Sequence, residues 1–220
     1  MTSSSPEQPE PQPAPEPVDL LRRAAEGDSA ALGELLDEHR QRLRRMVRLR
    51  LDRRMQARID PSDVLQEAFI EAAQRLAEYL RDPKMPFSLW LRFLTGQKLL
   101  ALHRRHLGAE ARDAAREVSL FHGALPEASS ACLAARLLGK ATAPLEAAIR
   151  AELKVRVQDA LNEMDPLDRE VLALRHFEQL SNQETAQVLG ISISGASSRY
   201  LRALKRLKAV LGPVGGGSDG

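Results

Sequence analysis

The chain has 220 residues, 28% of them charged and 43% hydrophobic, with a formal net charge of +2 and one cysteine. That length supports one or two modest domains, and a single cysteine excludes both an internal disulfide framework and a cysteine-rich zinc module. No apolar run reaches the roughly 18 residues of a membrane span, and the N-terminus lacks the blocks of a secretory or transit signal, so the expectation is a cytoplasmic protein that does not enter a membrane.

The near-neutral total hides an uneven distribution. Glu7, Glu10, Glu16 and Asp19 stand without a base in residues 1–20, and Asp219 lies in the C-terminal tail. This leaves 32 bases against 25 acids, or +7, on residues 21–211. Nine arginines face one acid, Asp52, between Arg40 and Arg58, and five bases face none between Arg199 and Lys208. Such clustering points either to a polyanionic partner or to solvated helix faces.

Residues 1–18 carry six of the 13 prolines with Ser, Gln and Glu, a composition that buries too little apolar surface to offset ordering entropy and predicts a disordered tail. Leu32, Leu35, Leu36, Leu43, Met46 and Val47 recur at helical spacing and predict a long amphipathic helix from about Ser29, with Asp28 as its N-cap. Asp60-Pro61 opens the next helix, with a capping carboxylate and a proline where no donor is missed. Leu65, Ala68, Phe69, Ala72, Leu76 and Leu80 form its stripe, and Arg81-Asp82-Pro83 stops it. A third helix is expected from about Ser88 to Leu107, ending at Gly108, with Trp90 on its apolar stripe beside Leu94.

These helices predict one domain over residues 19–107. Residues 108–143 read as a linker holding a short helix around Ala131–Leu138. A second domain is expected over 144–211, opened by Pro144 and with a second Asp-Pro start at Asp165-Pro166, before a Gly-rich tail at 212–220. The fold class is all-α: two small helical domains, a flexible linker and a disordered N-terminal tail.

Ser181-Asn182-Gln183-Glu184 fits a capping box that must start a short helix. Gly190 supplies the left-handed turn after it. Ser192 or Ser194 caps the following helix, and the spacing of Ala186, Gly190 and Ala196 lets two helices cross closely enough to form a helix-turn-helix. Ser194, Ser197, Ser198, Arg199, Arg202, Lys205 and Arg206 are its candidate DNA contacts. The competing reading is a helical hairpin with a solvated basic face.

Asp60-Pro61-Ser62-Asp63-Val64-Leu65-Gln66-Glu67-Ala68-Phe69, Phe87-Ser88-Leu89-Trp90-Leu91 and His103-Arg104-Arg105 resemble region 2 of bacterial RNA polymerase sigma factors. Residues 161–211, with Asp165-Pro166-Leu167-Asp168-Arg169-Glu170 and Leu189-Gly190-Ile191-Ser192, resemble region 4. The order and spacing are similar to those of the extracytoplasmic-function (ECF) branch of the sigma-70 family. The resemblance implies core RNA polymerase as a partner, through the beta-prime coiled coil and the beta flap, promoter DNA as a second, and leaves room for an anti-sigma factor. It assigns Asp63, Gln66, Glu67 and Ile70 to core binding, the Ser194–Lys208 helix to the minus-thirty-five element, and Arg92, Lys98, His103, Arg104 and Arg105 to the minus-ten element. At position 196 the family usually has a larger branched residue, which predicts looser packing here.

No catalytic dyad, nucleophile elbow or phosphate loop is present, so neither an enzyme nor a cofactor is expected. His103 and His106 lie one turn apart but lack further ligands, which argues against a metal. Cys132, among Ala and Leu, reads as a small buried hydrophobe. Two other functions fit some features: a helix-turn-helix regulator with a helical sensing or dimerisation domain, and a helical adaptor for an acidic protein. The Arg40–Arg58 cluster finds no role in any of these.

Overall fold

The computed structural model describes residues 18–107, 125–141 and 147–211, and among them finds helices and no strand. Pro144, Gly108 and both terminal tails lie outside the described residues. The N-terminal half consists of α1 (Val18–Ala25), α2 (Ser29–Arg50), α3 (Pro61–Arg81) and α4 (Phe87–Leu107). Both expected N-caps form. Asp28 accepts from the Ala30 and Ala31 N–H groups at 2.9 and 3.1 Å, and Asp60 accepts from Ser62 N–H at 2.7 Å. Each satisfies donors that the first helical turn leaves orphaned.

Leu35, Leu43, Met46 and Val47 of α2 bury against Leu65, Phe69, Ala72 and Leu76 of α3 and Phe87, Leu91, Leu94 and Leu99 of α4. Trp90 belongs to this core, stacked on Tyr79 at 4.6 Å between ring centroids. The Tyr79 hydroxyl donates to Met85 O at 2.9 Å, which fixes the α3–α4 turn.

The C-terminal half contains α5 (Ser130–Ala141), α6 (Ala147–Asn162), α7 (Pro166–Leu172), a π-turn (Ala173–Phe177), α8 (Asn182–Leu189) and α9 (Ile193–Leu211). Leu133, Ala134 and Leu138 of α5 join Leu153, Val157 and Leu161 of α6 and Ala203 and Leu207 of α9 in a second core. Leu49 of α2 is fully buried in that second core. The two halves also meet where Leu89 of α4 packs with Leu174 and Leu180. α4 thus buries residues around most of its circumference, as a helix between two layers must.

Candidate polymerase and promoter interfaces

The helix-turn-helix is built as its sequence requires. Asp165 caps α7 by accepting from Leu167 and Asp168 N–H at 2.8 and 3.3 Å. At α8 the capping box closes in both directions: Glu184 N–H donates to Ser181 Oγ at 3.1 Å, and Ser181 N–H donates to Glu184 Oε2 at 2.7 Å. Gly190 sits at φ +64. Ser192 caps α9, accepting from Gly195 N–H at 3.0 Å. A Cβ at position 195 would lie 2.9 Å from that same Oγ, so glycine there lets the cap close. Ala196 is fully buried and Ala186 nearly so, which is the close crossing that two small residues allow.

The faces of α9 divide its candidate DNA contacts. Arg199 Nη1 donates to Asp168 Oδ1 at 2.6 Å and to Asp165 Oδ1 at 3.3 Å, and Arg202 reaches Asp168 at 3.3 Å. Arg206 pairs with Glu163 at 2.7 Å. Ser197 Oγ accepts from Asn182 Nδ2 at 2.8 Å, which ties α9 to α8. Ser194, Ser198 and Lys205 remain exposed, and with them lies Leu201, at 64% exposure. Ser194, Ser198, Leu201 and Lys205 fall at i, i+4, i+7 and i+11, one outward stripe.

On α3, Asp63, Gln66, Glu67 and Ile70 are all exposed on one face, with Ile70 at 53%. Val64, Leu65, Ala68 and Phe69 occupy the opposite, buried face. An exposed isoleucine beside two carboxylates and an amide is a mixed surface suited to a partner helix.

The five minus-ten candidates on α4 are not brought together. Arg104 and Arg105 are exposed, whereas Lys98 pairs with Glu71 at 2.6 Å. His103 is buried, accepts from Asp52 N–H at 3.4 Å through Nε2, and is pushed below the usual histidine range by burial. Arg92 is 8% exposed and donates from Nε to Glu178 Oε2 at 2.9 Å.

Glu178 also accepts from Arg50 Nε at 2.9 Å and Arg50 Nη2 at 2.6 Å. Arg50 donates further to Pro126 O at 3.1 Å and pairs with Glu170. Burial drives the Glu178 carboxyl up, but Arg50 and Arg92 more than offset this and hold it below the usual carboxylate range. Arg42 donates to Glu184 Oε1 at 2.7 Å and Arg45 to Gln179 Oε1. Three arginines of the Arg40–Arg58 cluster therefore cross from α2 to the C-terminal half.

Residues 154–207 match the family model for sigma-70, region 4. Two relatives extend the match over both halves. NccH, an RNA polymerase sigma factor of Alcaligenes xylosoxydans, is 30% identical over 192 residues, 87% of this chain and 92% of its own. The ECF RNA polymerase sigma factor SigD of Mycobacterium tuberculosis is 30% identical over 189 residues, 86% of this chain and 81% of its own. The chain belongs to the ECF RNA polymerase sigma factors. Among solved structures, CnrH in complex with the cytosolic domain of CnrY aligns at 25% identity with a TM-score of 0.50, covering 88% of this chain and 95% of that one.

As a sigma factor, the protein directs promoter-specific transcription initiation, and its all-helical architecture agrees with that of CnrH. The regulator alternative finds no support, because the likeness to sigma factors spans both halves. No helix among the described residues is long and apolar enough to cross a membrane, and no cluster there has the ligands to hold a metal ion.

Sequence reasoning missed Glu178, Asp168 and Leu201. Nothing local marks Glu178, whose position depends on the π-turn before it. Asp168 is visible in the sequence only as part of the Asp165-Pro166 helix start, 31 residues from the Arg199 it holds. Leu201 carries no charge or polar group, so nothing in the sequence sets it apart from the buried Ala203 and Leu207 of the same helix. Cys132 is half-buried rather than enclosed, with Gln56 Nε2 at 3.5 Å from its sulfur.

Proposed function

We propose that this sigma factor is a non-enzymatic, cytoplasmic specificity subunit that grips core RNA polymerase through the Asp63, Gln66, Glu67 and Ile70 face of α3. It reads a minus-thirty-five element through the outward stripe of α9. The observation that carries this reading is the closed helix-turn-helix, whose second helix presents Ser194, Ser198, Leu201 and Lys205 to solvent beside Arg202. Short hydroxyls, an apolar methyl-bearing side chain and a flanking cation suit base edges and phosphates in a major groove.

Arg104 and Arg105, exposed at the end of α4, serve the minus-ten element, and residues 19–107 and 144–211 act as the two promoter-contacting domains. CnrH is known in complex with the cytosolic domain of CnrY, which supports an anti-sigma partner for this chain as well. Reconstitution with core polymerase tests the reading. A stable complex and promoter-dependent run-off transcripts are expected, while core that gains neither would exclude it.

A further inference from the structure

The structure divides the nine arginines between Arg40 and Arg58. Arg40, Arg42, Arg50 and Arg54 each hold a carboxylate. Among the described residues, Arg44 and Arg48 make no hydrogen bond or ion pair, and Arg45 reaches only the neutral amide of Gln179. Arg44, Arg45 and Arg48 share one face of α2, because positions i, i+1 and i+4 fall within about 100° of one another around a helix.

α5 brings a fourth cation to them. Ser129 N–H donates to Leu49 O at 3.0 Å, and Leu49 is buried with Leu133 and Ala134, so the start of α5 is pinned against the end of α2. One turn beyond Leu133, Arg136 stands half-buried within electrostatic reach of Arg48 and Arg45. It too has no hydrogen bond or ion pair among the described residues.

Like charges gathered in this way need a reason, because burial and mutual repulsion both act against them. Burial and Arg42 push the Arg45 guanidinium below its ordinary range, and burial, Arg48 and Arg45 do the same to Arg136. Arg44 Nε and Arg45 Nε are covered without an acceptor among the described residues, a cost that native structures seldom leave unexplained. The acid that Arg44 and Arg48 do influence, Asp60, is committed to the α3 cap, where it accepts from Ser62 N–H.

We propose that Arg44, Arg45, Arg48 and Arg136 form a binding site for a chain of linked phosphates, either free oligophosphate or the phosphate tail of a nucleotide. Planar guanidinium forks match phosphate oxygens in pairs, and α2 spaces Arg44 from Arg48 by about 6 Å along its axis. That compact cluster, set between two helices, suits two or three adjoining phosphates. A nucleic-acid strand is held instead by a long charged groove with aromatic stacking platforms, and neither residues 40–58 nor α5 contain an aromatic residue. The site shares no residue with the α3 face or the α9 stripe, so its failure and theirs are separate results.

Calorimetric titration of the full chain with sodium tripolyphosphate, at fixed ionic strength and without divalent cations, tests this. One equivalent is expected to bind about ten-fold more tightly than orthophosphate and to raise the melting temperature. Arg48→Gln and Arg136→Gln are each expected to weaken tripolyphosphate about ten-fold, as the loss of one charge-assisted hydrogen-bonding group should. Arg53→Gln, at an exposed arginine beyond the end of α2, is expected to leave binding unchanged. ATP binding as tightly as tripolyphosphate would show that the phosphate chain alone is recognised, and tighter binding of ATP would name a nucleotide as its source.

Several weak equivalents that sulfate displaces at equal ionic strength would overturn the proposal, and so would equal losses in Arg53→Gln and Arg136→Gln. Mixed-sequence single-stranded DNA or oligoglutamate binding through Arg48 and Arg136 where tripolyphosphate does not bind would overturn it as well. Arg48 is exposed, so Arg48→Gln reads the site even if the half-buried Arg136→Gln does not fold.

Discussion

Arg50 and Glu178 lie 128 residues apart in sequence and are joined by two hydrogen bonds of 2.9 and 2.6 Å, with each side chain 1% exposed. An ion pair so buried is stable only while both partners are present, because removing one strands the other charge in a medium that solvates it poorly. Arg50→Ala is therefore expected to destabilise the protein by about 3 to 5 kcal/mol in urea titrations. A loss within about 0.5 kcal/mol, as for an ordinary surface site, would mean that the pair does not bridge the halves in solution.

Acid should weaken the protein in two steps. His39 and His103 are both pushed down, chiefly by burial, and Arg42 adds to the effect at His39. A depressed histidine contributes stability that is present above its ordinary value, near 6.5, and is lost as pH falls below it. Glu178 and Glu184 are held below the usual carboxylate range by Arg50 and Arg92 and by Arg42, against the opposing pull of burial. Their contribution is present above about pH 4.3 and is lost as pH falls further. Urea midpoints followed from pH 8 to pH 3 check this, and His103→Gln should flatten the upper step only.

Leu201 is expected to contact the C5-methyl group of a thymine in the minus-thirty-five element. Replacing that thymine with uracil removes the methyl alone and should weaken wild-type binding about four-fold, the worth of one buried methyl-sized group. The Leu201→Ala chain should not distinguish the two DNAs. Equal sensitivity in both chains would assign the contact to another residue.

Asp168 accepts from both Arg199 and Arg202 and so sets where those guanidinium groups point. Asp168→Asn keeps the shape and removes the charge that restrains them. Binding to unrelated DNA should rise, and the ratio of promoter to unrelated binding should fall. Electrophoretic mobility shifts at two salt concentrations measure both, since phosphate contacts raise the salt slope.

Glu67→Lys reverses a charge on the exposed α3 face without touching the core. It should weaken the complex with core polymerase by about 1 kcal/mol or more if the face is buried there, and leave thermal stability within the range of ordinary surface substitutions. Unchanged affinity for core would remove α3 from the interface.

The local rules were legible in the sequence. Asp28, Asp60 and Asp165 cap helices, Ser181 and Glu184 close a capping box, and Gly190 takes the left-handed turn, because each depends on a few neighbouring residues. Trp90 also lies in the core, where its spacing from Leu94 put it. What the spacing could not show is which residues from distant parts of the chain share a site. The Arg40–Arg58 cluster reads as a basic surface, yet Arg42, Arg45 and Arg50 turn toward partners more than 100 residues away. Arg199 reads as a DNA contact from charge and position, and Arg92 from the resemblance to sigma factors, but Glu178 and Asp168, which hold them, announce nothing locally.

As a sigma factor, this chain gives core polymerase its choice of promoter. The decisive measurement is to sequence the 5′ ends of transcripts made by core with the wild-type chain and, in parallel, with the Leu201→Ala chain. Expected are start sites absent with core alone, a shared pair of upstream elements, and relaxed preference at one minus-thirty-five position in the variant. Start sites identical to those of core alone would contradict it.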